Sequence, residues 1–310
     1  VEIVIQFVEA MRSAPTDVGL DAVDDVYAYG VSRSADALMA IQQTVTGTDR
    51  ADLFDLTLLH SPSFDNFAMD PPAPPPGGFF DALGGAYVPL TDVGRVMFVM
   101  TEGDRVIFEV DGFRDVVGMD DYRLYEVAGA AHTPNVPELA GLDIGDNPLD
   151  HFAVTGAVFA AAHDWMRRGV EPPASALLAP APAGEVDPVY GFETGIARDA
   201  DGNALGGVRL PDLAAGRALY IASDPESPND GFPFTVLTGS QVDLECEPAR
   251  DGGERFDFRR VYDWQVALQA IDLMQQGFLL KGDGIRTIFD AVDAEVGRDA
   301  RCAGDGDGSG

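Results

Sequence analysis

The sequence predicts an α/β fold, a doubly wound and mostly parallel sheet followed by a C-terminal α+β extension. Three observations carry this reading. Short apolar runs at 26–31, 54–59, 95–100 and 122–127 alternate with helix-periodic segments through roughly the first 170 residues, the order that parallel sheets require. After its arginine, Arg95–Met100 (RVMFVM) is continuously apolar, as in a strand covered on both faces. Finally, 310 residues with 46% apolar content suffice for one large α/β domain or two ordinary ones.

The elements follow in order. Val1, Val4, Ile5, Val8 and Met11 recur at helical spacing and predict an amphipathic helix that stops before Pro15. A strand over 26–31 leads through Ser32 into a helix over Ala35–Val45, ended by Gly47. Phe54–Leu59 reads as the next strand, and a loop with five prolines and two glycines over 71–78 follows. RVMFVM ends in Thr101-Glu102-Gly103-Asp104, read as a turn. Phe113–Val117 is weakly helical, and Tyr122–Val127 (YRLYEV) is a strand ending at Ala128-Gly129-Ala130-Ala131-His132. A helix over Phe152–Arg168 carries Phe152, Val158, Phe159, Ala162 and Trp165 on its apolar face.

From Pro172 the texture changes. PPASALLAPAPAG is a proline- and alanine-rich connector, followed by strand-like pieces at Gly207–Leu210 and Phe234–Leu237 and helices at Val261–Gln276 and Ile285–Val296. The expected organisation is a core over 1–170, an extension packing on it over 171–300, and a disordered tail over 301–310.

Fifty-two acidic residues face 20 basic ones, a formal net charge of -32, and Lys281 is the only lysine. Such a surface repels phosphate backbones and anionic lipid, which argues against nucleic-acid partners. It also suits high salt, and a loss of stability at low ionic strength is the expected signature. No apolar run approaches the roughly 18 residues of a membrane span. Cys246 and Cys302 have neither metal-site nor CxxC spacing; they read as two plain thiols or as a disulfide tying the tail to the body.

The chemistry centres on Ser32 in Gly30-Val31-Ser32-Arg33-Ser34. A serine hydroxyl becomes a nucleophile when a histidine takes its proton and a carboxylate orients that histidine. Ser32, Asp104 and His132 each follow a predicted strand, in the chain order Ser, Asp, His, and the carboxyl ends of parallel strands are where such sheets bind ligands. The strained strand-to-helix elbow needs small neighbours, which Gly30 supplies and Ser34 supplies imperfectly, because the usual pattern is G-x-S-x-G. Read alone, Ser32 fits a helix N-cap equally well. The later Asp and His at strand ends favour the nucleophile.

AYGVSRSADAL, LYEVAGAAH, HDWMRRGVEPPAS and GGVRLPDLA together resemble a bacterial family of large α/β-hydrolase domain proteins, related in outline to carboxylesterases, over about Tyr27 to Leu280. The resemblance implies a serine hydrolase cleaving carboxylic esters of small-molecule substrates, with Ser32 as nucleophile and His132 as base. Ala35 stands where the family's GVSQSG has glycine. The family's TETD-like turn matches 101–104 and leaves Glu102 as the alternative acid to Asp104. The backbone N–H of Arg33 is one expected oxyanion donor. The second should come from a loop after an earlier strand; the start at Val1 reads as removal of a signal peptide or of a longer N-terminal part, and the latter would have held that strand. The rivals are a hydrolase-like scaffold without catalysis and an amidase or acyltransferase using the same serine.

His60, in LLHSPSF, is a pocket-lining candidate, although a hydrogen-bonded structural histidine fits it better. His151 and His163 read as helix-surface or capping residues, and Trp165 as core. Phe79 and Phe80 beside the proline loop read as part of a lid or as a surface excursion. Asp199, Asp201 and Asn203 mimic the opening of a calcium loop without its sixth-position glycine or closing glutamate, so a hairpin turn is the better reading. No HExxH, Walker lysine or GxGxxG is present, and neither cofactor nor metal is expected.

Overall fold

The computed structural model describes residues 2–62, 93–108, 111–133, 147–224, 237–243 and 258–302. The chain divides into two compact units. The first comprises Val1–Met100, Asp104–Glu126 and Phe159–Ala176, and the second Thr101–Gly103, Val127–Val158 and Leu177–Gly310.

The first unit holds most of a four-stranded sheet in the order β1-β2-β3-β4, formed by Tyr27–Val31, Leu56–His60, Arg95–Thr101 and Tyr122–Val127. β1 pairs parallel to β2, and β2 parallel to β3, with Val31 opposite His60 and His60 opposite Val99. Every residue of β2 is buried, as is β3 after Arg95, which explains why these strands do not alternate. Helix α1 (Glu2–Ser13) places Ile5 and Val8 against Val26 and Ala28 around β1, together with Ile41 and Val45 of α2 (Arg33–Val45). β2 begins two residues later than the apolar run suggests, because Phe54 packs in that same cluster ahead of the strand.

A short helix, α3 (Glu102–Phe108), follows β3 directly, so the four residues read as a turn are one strand end and the first turn of a helix. Asp111–Val116 is a 3-10 segment. Buried Glu126 of β4 accepts from Arg105 at 3.3 Å and from Arg114 at 2.5 and 3.0 Å, which ties α3 and the 3-10 segment to the sheet. α4 occupies Phe152–Arg168 as predicted. Its buried face is Val154, Ala157, Val158, Ala162 and Trp165. Phe152 and Phe159 are 42% and 41% exposed and do not belong to that face; Phe159 instead sets its ring against the edges of Tyr27 and Tyr29. Trp165 is core, with the guanidinium groups of Arg95 and Arg123 over its ring.

The proline-rich connector is paired chain. The amide of Ala176 donates to Leu124 and its carbonyl accepts from Glu126, so this segment continues the ladder beyond β4. In the second unit, isolated bridges join Leu178 to Gly206, Pro180 to Ile196 and Arg198 to Ala204. The last closes the turn expected at DADGN, where Asp199 accepts the amides of Asp201 and Asn203. The buried amide of Asn203 then bonds Ala218 and Tyr220. After α5 (Pro211–Ala214), two strands absent from the sequence reading, β5 (Ala218–Ile221) and β6 (Ser240–Asp243), pair antiparallel. Helices α6 (Phe258–Gln276) and α7 (Lys281–Cys302) follow, both longer than predicted. A Cβ on Gly284 would lie 2.5 Å from Met274 Sδ, so glycine there lets the two helices approach. Trp264 on α6 is exposed.

His163 is on the helix surface, as expected. His151 takes the capping position before α4, its carbonyl accepting the Thr155 amide, but its ring is fully buried and stacked on Phe152. The proline loop 71–78, Phe79, Phe80, Phe234, Cys246, the side chain of Cys302 and the last eight residues lie outside the described residues. Among those described, no helix is long and apolar enough to cross a membrane.

Candidate active site

Ser32 sits between β1 and α2 with φ 51 and ψ -125, one of two non-glycine residues at positive φ among the described residues. That conformation is costly for an L-residue and is what a strand-to-helix elbow imposes. Ser32 occupies the N-cap position, and its carbonyl accepts from the amides of Ala35 and Asp36, yet its side chain makes no capping bond. The hydroxyl is therefore not used in the way the N-cap reading requires. Arg33 is the first residue of α2, where backbone N–H groups have no intrahelical acceptor.

The neighbours explain how the elbow is made. A Cβ on Gly30 would lie 2.7 Å from backbone atoms of Ser34 and Ala35, so only glycine lets the helix start this close to the strand. Ser34 departs from the usual glycine, but its hydroxyl donates to the Val31 carbonyl at 2.7 Å and accepts the Val31 amide at 2.8 Å. The side chain thus bridges the turn it was expected to crowd. Ala35 is fully buried.

The end of β2 adjoins this elbow: the Ser32 amide donates to the His60 carbonyl at 2.9 Å. His60 is fully buried, with Nδ1 3.3 Å from the hydroxyl of Tyr29. Burial pushes the Tyr29 phenol above its ordinary pKa.

Glu102 and Asp104 begin α3, and both are fully buried. In the second unit, Glu102 accepts the Gly129 amide at 2.7 Å on one oxygen and Arg198 at 2.5 Å on the other, with the Tyr190 hydroxyl 3.4 Å from the latter. Arg198 also binds Asp187 at 2.7 and 2.9 Å, so one guanidinium joins two buried carboxylates. Burial opposes the charge on Arg198, but Glu102 and Asp187 outweigh it and raise its pKa above the ordinary value. The Tyr190 phenol is pushed well above its usual pKa, first by burial and then by the Glu102 carboxylate. Sequence spacing gives no signal for this cluster, whose principal pair is 96 residues apart.

His132 is buried in the second unit, just after β4. The amide of Gly103 donates to Ala130 at 3.0 Å, and a Cβ on Gly103 would lie 2.9 Å from the His132 nitrogen. The residue before Asp104 therefore rests on the backbone of His132, and glycine permits that approach. Thr133 is anchored through its amide to the Leu237 carbonyl. Among the described residues, no group of His, Cys, Asp and Glu side chains could hold a metal ion.

A family model described as "Alpha/beta hydrolase domain" matches residues 1–288. The chain belongs to this family. Neither a curated protein nor a solved structure matches it. For an α/β-hydrolase domain, a parallel sheet with flanking helices is the expected framework, and hydrolysis is the general activity that membership suggests.

Proposed function

We propose that this α/β-hydrolase domain is a serine hydrolase that cleaves carboxylic esters, with Ser32 as nucleophile, His132 as base and Asp104 as the orienting acid. The observation that carries the reading is the elbow: a serine at φ 51 between strand and helix whose hydroxyl makes no capping bond. The choice of Asp104 over Glu102 is supported by the bonds that already occupy both Glu102 oxygens.

In the reaction, Ser32 Oγ attacks the ester carbonyl carbon while His132 accepts its proton. The carbonyl oxygen takes up the negative charge, facing the Arg33 N–H. The carbon–alkoxy bond then breaks, His132 gives its proton to the leaving alcohol, and the acyl group stays on Ser32. Water, deprotonated by the same imidazole, releases the acid.

A fluorophosphonate probe on the folded protein tests this. Labelling on Ser32, abolished by Ser32→Ala, is expected. A folded protein without adduct would favour the scaffold reading. Rates on ester, amide and acyl-acceptor substrates separate the esterase from an amidase or transferase.

A further inference from the structure

Ser61 is the other non-glycine residue at positive φ among the described residues, at 46°. It directly follows β2 and precedes Pro62, a position that ordinarily drives the backbone to extended conformations. Its amide donates to the Val99 carbonyl at 2.8 Å, which fixes the residue in place. The side chain is fully buried, and its Oγ has no hydrogen-bond partner among the described residues. A strained backbone and an unsatisfied buried hydroxyl are both unfavourable, and here they coincide in one residue.

The position gives that coincidence a meaning. Val31 is opposite His60 in the parallel register, so Ser61 follows β2 as Ser32 follows β1, on strands about 4.8 Å apart. β2 lies between β1, which delivers the nucleophile, and β3, which delivers the helix carrying Asp104. Ser61 is thus on the side of Ser32 towards β3 and the helix that carries Asp104, and in the proposed triad the acid–base pair protonates the leaving oxygen. Resting on the ester-cleaving reading, we propose that Ser61 is a substrate-contacting residue whose hydroxyl donates a hydrogen bond to the alkoxy oxygen of the bound ester. As the bond from carbonyl carbon to alkoxy oxygen lengthens, charge gathers on that oxygen. The Ser61 O–H steadies it until the proton arrives from His132. Ser61 itself neither gains nor loses a proton.

The test compares Ser61→Ala and Ser61→Gly with the parent chain on two butyrate esters. Methyl butyrate expels methoxide, a basic leaving group that depends on such a donor, whereas p-nitrophenyl butyrate expels a stabilised phenolate that depends on it little. The expected fall in kcat/KM is about tenfold on the methyl ester and about twofold or less on the nitrophenyl ester. Melting temperatures should be unchanged, or raised for Ser61→Gly, which relieves the positive φ. Equal losses on the two esters, no loss on either, or a drop in melting temperature in both variants would each overturn the assignment. Fluorophosphonate labelling of Ser32 in the parent chain keeps the two levels apart. A labelled parent with unaffected Ser61 variants sinks this inference alone, and an unlabelled folded parent sinks the esterase reading together with it.

Discussion

At the end of β1 the chain is turned by sterics, with a serine at φ 51 and a glycine pressed against the next turn. At the end of β3 it is held by charge, with Glu102 and Asp187 sharing the buried guanidinium of Arg198. A steric turn has short-range causes and no dependence on ionisation. An ionic clamp depends on every member being present, because each charge is tolerated in a dry environment only while its partners remain. The first arrangement sets the backbone of Ser32, and the second fixes the start of the helix that carries Asp104.

The largest effect is expected from removing what the steric turn presents. Ser32→Ala should lower esterase turnover by about 10⁴-fold or more with little change in melting temperature, read from ester hydrolysis and a thermal scan. Next comes the clamp. Arg198→Met leaves two carboxylates buried without a counter-charge and should cost about 3–5 kcal/mol in urea denaturation. If that variant unfolds at the same urea concentration as the parent, the contrast between the two strand ends is lost. Gly30→Ala drives a methyl group into backbone at 2.7 Å, and a cost of about 1–3 kcal/mol is expected for the strained elbow. Its activity should fall further than its stability, because Ser32 moves with the turn.

The smallest effect sharpens the comparison through pH. The Tyr190 phenol has a pKa raised above its ordinary 10.0, so it stays protonated in the folded protein after the unfolded chain has begun to ionise. Its contribution is fully present below about pH 10 and is lost as pH rises beyond it. Tyr190→Phe should cost about 1 kcal/mol near neutrality and flatten the alkaline decline in melting temperature. An identical decline in the variant would place the alkaline sensitivity with other groups.

How much of this the sequence discloses depends on the range of the cause. β1, β3, β4 and α4 are legible because their signals are local: apolar residues crowded into short runs for the strands and helical spacing for α4. Ser32 is legible for the same reason, since strand periodicity becomes helix periodicity across it. α3 is not, because Glu102-Gly103-Asp104 has the residue types of a turn. The glycine is there for its approach to the backbone of His132, a contact with no local signature. Phe152 and Phe159 follow the apolar spacing of α4 yet remain exposed, since spacing identifies a stripe and not what covers it. The occupation of both Glu102 oxygens depends on Arg198 and Gly129, far away in sequence, and Ser61 is picked out only by its backbone angle and its unmatched hydroxyl.

The distribution of the chain's two tryptophans has a practical consequence. Trp165 belongs to the first compact unit and is enclosed beneath two guanidinium groups, whereas Trp264 belongs to the second and is 65% exposed. Intrinsic fluorescence should therefore have a short-wavelength emission shielded from acrylamide and a long-wavelength emission open to it. Following both colours during denaturation reveals whether the halves melt together or in succession, without any introduced label.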